Sequence, residues 1–155
     1  MVVEGDLVVR LEKFFAQYVR MWTRHFYEHI HLGKPCRLYF DLEFQKIPNP
    51  NFNTDAFFPE FYSLIEKILF DYADTTNVRF LELDSTTDVK FSRHVIVHTD
   101  KLFPCNTDLQ PLVHTLCEKM RELNLGVVKN DALEDTLIVD SSVYSRNQNF
   151  RMYLS

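Results

Sequence analysis

Between Leu7 and Arg24 the apolar positions Leu11, Phe14, Phe15, Tyr18, Val19 and Trp22 recur at three- and four-residue steps, with Glu12, Lys13, Gln17 and Arg20 facing outward. That spacing predicts an amphipathic helix. Phe26 to Ile30 reads as extended, and after the Gly33-Lys34-Pro35 turn the run Cys36 to Phe44 reads as a strand. Asn, Pro and Thr fill a loop to Thr54. Helical spacing then resumes from Phe57 to Tyr72, with Pro59 tolerable only in a first turn. Val78 to Leu83 and Phe91 to His98 predict the two strands of a hairpin, joined by the polar turn Asp84-Ser85-Thr86-Thr87-Asp88. Asp108 to Leu123 predicts a third helix with Asp108 as its cap. Short apolar runs, Val127-Val128 and Leu137-Ile138-Val139, alternate with turns before an extended aromatic and basic tail. The pattern predicts an α+β fold, an antiparallel-rich mixed sheet with packed helices, in a single domain over residues 1–155.

Composition sharpens this only in places. Hydrophobic residues make up 46% of the chain and glycine occurs 3 times, which excludes a disordered or low-complexity polymer. Cys36, Cys105 and Cys117 are scattered and odd in number, so neither a disulfide framework nor a zinc cluster is expected, and a reducing, intracellular setting fits. No run of about 18 apolar residues is present, so no membrane partner is expected. A net charge of -5 counts against a free-standing nucleic-acid binder, although catalytic carboxylates that hold cations would contribute to it.

Three places carry candidate chemistry. With 22 acidic residues in 155, chance gives about three acid-x-acid pairs, and the sequence holds Glu4/Asp6, Asp41/Glu43 and Glu82/Asp84. The middle pair stands apart because Leu38, Tyr39, Phe40, Leu42 and Phe44 draw its strand into the core. Two residues apart on a strand, Asp41 and Glu43 share a face, and desolvated carboxylates need a cation or a basic partner. A metal site, a structural ion pair and a solvated strand face all satisfy that pattern. Lys90, Ser92 and His94 line one face of another strand, opposite Phe91, Arg93 and Val95. An ammonium, a hydroxyl and an imidazole in a row suit phosphate oxygens, and an ordinary exposed strand face fits as well. Asp140 follows the apolar Leu137-Ile138-Val139 and offers a third carboxylate. Beyond it, Tyr144, Arg146, Asn149, Phe150, Arg151 and Tyr153 mix planar and cationic groups suited to phosphates and bases, or to an amphipathic edge strand.

These segments resemble the three motifs of the archaeo-eukaryotic primase superfamily, in order and with their flanks. Cys36 to Phe44 is similar to its acidic Asp-x-Glu strand, Leu83 to His94 to its Ser-x-His motif, and Val139 to Tyr153 to its single Asp followed by a basic tract. Tyr27-Glu28 and Val127-Val128-Lys129-Asn130 are also similar. The resemblance implies an RRM-like primase-polymerase catalytic core in which Asp41, Glu43 and Asp140 hold two divalent ions, Mg²⁺ or Mn²⁺. It implies that Lys90, Ser92, His94 and Arg151 contact the triphosphate of an incoming nucleotide and that Tyr27 lies against its sugar. Implied partners are a DNA template-primer and nucleoside triphosphates, deoxy or ribo, with a single-strand-binding protein engaged through family regions outside this sequence. A monomer in the nucleus or mitochondrion follows from the same resemblance.

Departures accompany the match. Gln148 stands where the family carries an arginine, the tract reaches Leu154-Ser155 without the expected lysines, and no C-terminal zinc finger can be built. Met120 to Val128 is a short link where the family carries a long insertion. A trimmed core is therefore expected. Two other functions use the same residues: a metal-dependent nuclease or phosphoryl-transfer enzyme, and a primase-like nucleic-acid-binding module without turnover.

Overall fold

The computed structural model describes residues 27–145 and 148–151. The predicted helix from Leu7 to Arg24, with Arg146, Met152 and Tyr153, lies outside the described residues, and of Tyr27, Glu28, Gln148, Phe150 and Arg151 only the backbone is described. The elements run β1 (Tyr27–Ile30), β2 (Leu38–Gln45), α1 (Thr54–Ala73), β3 (Arg79–Asp84), β4 (Lys90–His98), a 3-10 turn (Asn106–Leu109), α2 (Gln110–Glu122), β5 (Val127–Lys129), β6 (Asp135–Leu137), a second 3-10 turn (Ser141–Tyr144) and β7 (Gln148–Arg151). The fold is α+β, as the pattern predicts. Two compact units divide the chain, Ile30–Gln148 and a smaller one of Met1–His29 with Asn149–Ser155. Strands β1 and β7 pair with each other, and within the smaller unit His29 Nδ1 lies 2.7 Å from Asn149 Oδ1.

The larger unit is built on an antiparallel sheet in the order β2-β4-β3. Strand alternation sorts its residues as expected. Leu38, Phe40, Leu42 and Phe44 of β2 and Phe91, Val95 and Val97 of β4 are buried, and they meet the apolar stripe Phe57, Phe58, Phe61, Ile65, Ile68 and Leu69 of α1. Phe40 and Phe61 pack edge to face at 5.3 Å, and Phe44 stacks on Phe91 at 5.0 Å. Arg93 shares this apolar face. Its guanidinium lies 4.8 Å from the centre of the Phe58 ring and donates to Glu82 and Asp84, each at 2.8 Å, so the charge is compensated where it is partly desolvated.

Two helix starts differ from expectation. α1 begins at Thr54, ahead of Phe57, because the Asn53 side chain accepts from the Ala56 N–H at 3.1 Å. Pro59 therefore lies past the first turn. The bond it cannot make would have gone to the Asp55 carbonyl, and since Asp55 and Pro59 are both exposed, water can serve instead. Asn53→Ala is expected to remove about 1 kcal/mol of stability, read as a lower urea midpoint with an unchanged slope. At α2, Asp108 is not the cap. It falls inside the preceding 3-10 turn, and the capping position, Leu109, makes no side-chain bond.

α2 returns to the sheet through a tight junction. The Leu125 N–H donates to the Met120 carbonyl at 2.8 Å, and Gly126 takes a left-handed φ of 69°. β5 and β6 then form an antiparallel hairpin, after which residues 138–140 leave it to pair with the free side of β2. None of the three cysteines forms a disulfide, and among the described residues no helix is long and apolar enough to cross a membrane.

Candidate active site

Strand register decides what the polar face of the sheet brings together. Asp41 of β2 stands opposite His94 of β4, Glu43 opposite Ser92, and Gln45 opposite Lys90. Paired residues share a face, so Asp41, Glu43, Lys90, Ser92 and His94 all lie on the side away from α1. On the other flank of β2, the Glu43 N–H donates to the Ile138 carbonyl and the Asp140 N–H to the Asp41 carbonyl, both at 2.9 Å. With Leu42 bridged to Val139, this antiparallel pairing sets Asp140 opposite Asp41. Asp41 is thus the central acid, between His94 and Asp140.

Side-chain contacts follow that order. His94 Nε2 lies 3.6 Å from Asp41 Oδ1, and Lys90 Nζ lies 2.5 Å from Glu43 Oε2. Asp140 Oδ1 accepts from the Ser142 N–H at 2.8 Å, which fixes the carboxylate at the head of the second 3-10 turn. Ser92 is held by the β3–β4 turn: its hydroxyl is 3.1 Å from that of Ser85, and its N–H donates to Thr86 Oγ1 at 3.2 Å. Ser85 and Thr86 were legible only as polar turn residues. No local spacing links them to a strand position six or seven residues on.

Burial, reinforced by the negative charges of Glu43 and Asp140 and opposed by Lys90, raises the Asp41 carboxyl from 3.8 to about 6. Its Oδ1 is buried without a hydrogen-bond partner. The site is therefore short of positive charge at its centre, although Lys90 serves Glu43. Among the described residues no three or more His, Cys, Asp and Glu side chains are grouped closely enough to hold a metal ion together. A cleft of about 350 Å³ opens beside the acids, lined by Glu43, Lys90, Lys129, Asn130, Asp140 and Ser141. Lys129 reaches Asp135 at 2.7 Å. The side chains of Tyr27 and Arg151, the remaining expected site residues, lie outside the description.

No family model matches the chain. Curated proteins do. It is 30% identical over 165 residues to a DNA-directed primase/polymerase protein of Danio rerio, an alignment covering 84% of this chain and 32% of that protein. The protein of the same name from Mus musculus is 29% identical over 197 residues, covering 90% and 37%, and that from Gallus gallus is 38% identical over 92 residues, covering 58% and 15%. The chain thus spans about a third of the length of the Danio rerio and Mus musculus relatives. Across the segment they share, this chain is a homologue of the DNA-directed primase/polymerase proteins.

Proposed function

We propose that this chain is the catalytic core of a DNA-directed primase-polymerase, a nucleotidyltransferase that adds nucleotides to a primer or an initiating nucleotide on a DNA template. The observation that carries the proposal is the approach of Asp140, remote in sequence, to the Asp41/Glu43 pair on one sheet face beside Lys90, Ser92 and His94. Hard carboxylate oxygens around an orphaned buried oxygen suit a divalent cation such as Mg²⁺ or Mn²⁺. Asp41, Glu43 and Asp140 would hold two such ions, which when bound supply activation of the attacking 3′-hydroxyl and neutralise charge on the departing pyrophosphate. Lys90, Ser92 and His94 then bind the triphosphate oxygens, the lysine as a point charge and the serine as a short donor. For Arg151 as a further cation and Tyr27 at the nucleotide sugar, the family resemblance is the sole support. Held this way, the nucleotide is oriented before it reacts, and orientation is a large share of phosphoryl-transfer catalysis.

The assay is extension of a labelled primer on a template with deoxynucleotides and Mn²⁺ or Mg²⁺. Longer products support the proposal, whereas shorter ones indicate a nuclease. A binding module without turnover is favoured by one observation, the Lys90–Glu43 ion pair at 2.5 Å, which occupies one of the three acids. That reading predicts template binding and no change in primer length. Metal binding has its own readout: Mn²⁺ at a hundredfold excess over its dissociation constant is expected to stabilise the protein by about 2.7 kcal/mol, and Glu43→Gln to lose most of that shift. Equal shifts in both proteins would remove Glu43 from the site.

A further inference from the structure

We infer that Tyr144, together with Tyr39, Gln110 and Asn106, forms a clasp whose role is to position Asp140 against Asp41. The inference rests on the metal-site reading of those acids and adds positioning residues to it.

Asp140 is joined to β2 by little main chain. Residues 138–140 contribute two backbone hydrogen bonds to that strand, and the chain turns away immediately afterwards. A pairing of that length at the end of a hairpin frays unless something holds it. The next residues supply the hold. The Val143, Tyr144 and Ser145 carbonyls, consecutive in the chain, each accept from a side chain of another element: Tyr39 Oη at 2.7 Å, Gln110 Nε2 at 3.0 Å and Asn106 Nδ2 at 2.6 Å. In return the Tyr144 hydroxyl donates to the Tyr39 carbonyl. The two tyrosine rings lie 5.2 Å apart and are tilted by 31°.

Position makes this more than packing. Tyr39 is two residues before Asp41 on the same strand face, and Tyr144 is four residues after Asp140. The clasp therefore closes a loop of chain around both acids. Within it Ser142, between Asp140 and Tyr144, donates the N–H that orients the Asp140 carboxylate. Tyr144 and Asn106 are fully buried, with 1% and 0% exposure. Filling space there needs only apolar side chains, and a buried hydroxyl or amide adds a desolvation cost that its hydrogen bonds must offset. What these hydrogen bonds add is a single defined geometry for the segment, even though Asn106 Oδ1 is left without a hydrogen-bond partner. Burial holds the Tyr144 hydroxyl well above its ordinary value, with Asp41 and Asp140 among the charges that add to the effect, so it stands within electrostatic reach of both acids.

The experiment is calorimetric titration of the whole chain with Mn²⁺ alone, alongside thermal melts. Tyr144→Phe removes one hydroxyl and is expected to weaken Mn²⁺ binding about tenfold. Tyr39→Phe, which keeps the main-chain carbonyl that Tyr144 uses, is expected to weaken it about threefold and carries the test if Tyr144→Phe does not fold. Ile65→Val, in the α1 core, lowers the melting temperature while leaving Mn²⁺ affinity unchanged, and so separates positioning from general stability. Wild-type affinity in both tyrosine variants would overturn the clasp alone. A wild-type protein that binds no Mn²⁺ would overturn the metal site and the clasp with it.

Discussion

Asp41→Asn is expected to lower primer extension by about a thousandfold or more while making the metal-free protein more stable at pH 8. The first effect follows from removing the central acid, since losing several kcal/mol of transition-state stabilisation is worth about three powers of ten. The second follows from the sign of its perturbation. The folded protein raises the Asp41 carboxyl from 3.8 to about 6, so folding favours the protonated form and ionisation opposes folding. That opposition is absent below about pH 4, grows through pH 4 to 6 and is complete above. Asparagine carries no charge at any of these values. After discounting for water that reaches part of the side chain, the gain at pH 8 is about 1–2 kcal/mol, or about 3–6 °C in melting temperature. Melts in a chelating buffer at pH 8 and pH 4 give the comparison, and the gain should vanish at the lower pH. An Asn variant less stable than wild type at pH 8 would mean that the carboxylate is already satisfied by His94, and would sink the metal site.

Gly126→Ala is expected to have the largest effect on stability. Its φ of 69° disfavours any residue with a Cβ, and the added carbon would stand 2.7 Å from Phe57 Cε2 and 2.9 Å from both Ile138 Cγ2 and Met120 Cε. Each neighbour belongs to a different part of the unit: α1, α2 and the segment that carries Asp140. Backbone strain of about 1 kcal/mol and overpacking of about 1–3 kcal/mol together predict a loss of about 2–4 kcal/mol. The Ile138 N–H also donates to the Gly126 carbonyl at 2.8 Å, so displacement here passes to Asp140, and extension activity should fall with stability. Urea unfolding reads the first effect. A loss under about 0.5 kcal/mol would show that the junction repacks freely.

How much of this was legible in the sequence depends on the range of the interaction. Alternation placed Asp41 with Glu43, and Lys90 with Ser92 and His94, on common faces, because side-chain direction in a strand repeats every two residues. The same rule put Arg93 on the opposite face. Register was not legible: nothing local sets Glu43 against Ser92 and not His94, since the choice depends on the whole ladder and the β3–β4 turn. Helix starts were missed where a cap outweighed apolar spacing, as at Asn53, and where a 3-10 turn took over the presumed first helical turn, as at Asp108. The run Leu137-Ile138-Val139 divides between two partners, β5 and β2, which a periodicity cannot express. The Tyr39–Tyr144 exchange joins residues 105 apart and has no local signature at all. The roles of Tyr27 and Arg151 rest on resemblance alone.

The sheet order leaves β3 as a terminal strand, and among the described residues nothing pairs with its outer side. Such a rim of unsatisfied peptide groups is where one folded molecule can zip onto another. Leu81, 45% exposed, would assist that contact. Three ionised side chains within six residues, Arg79, Glu82 and Asp84, work against it by keeping water on the strand. Because Glu82 and Asp84 also hold Arg93 over the phenylalanines beneath, the charges that steady the interior are the ones that keep neighbouring molecules apart.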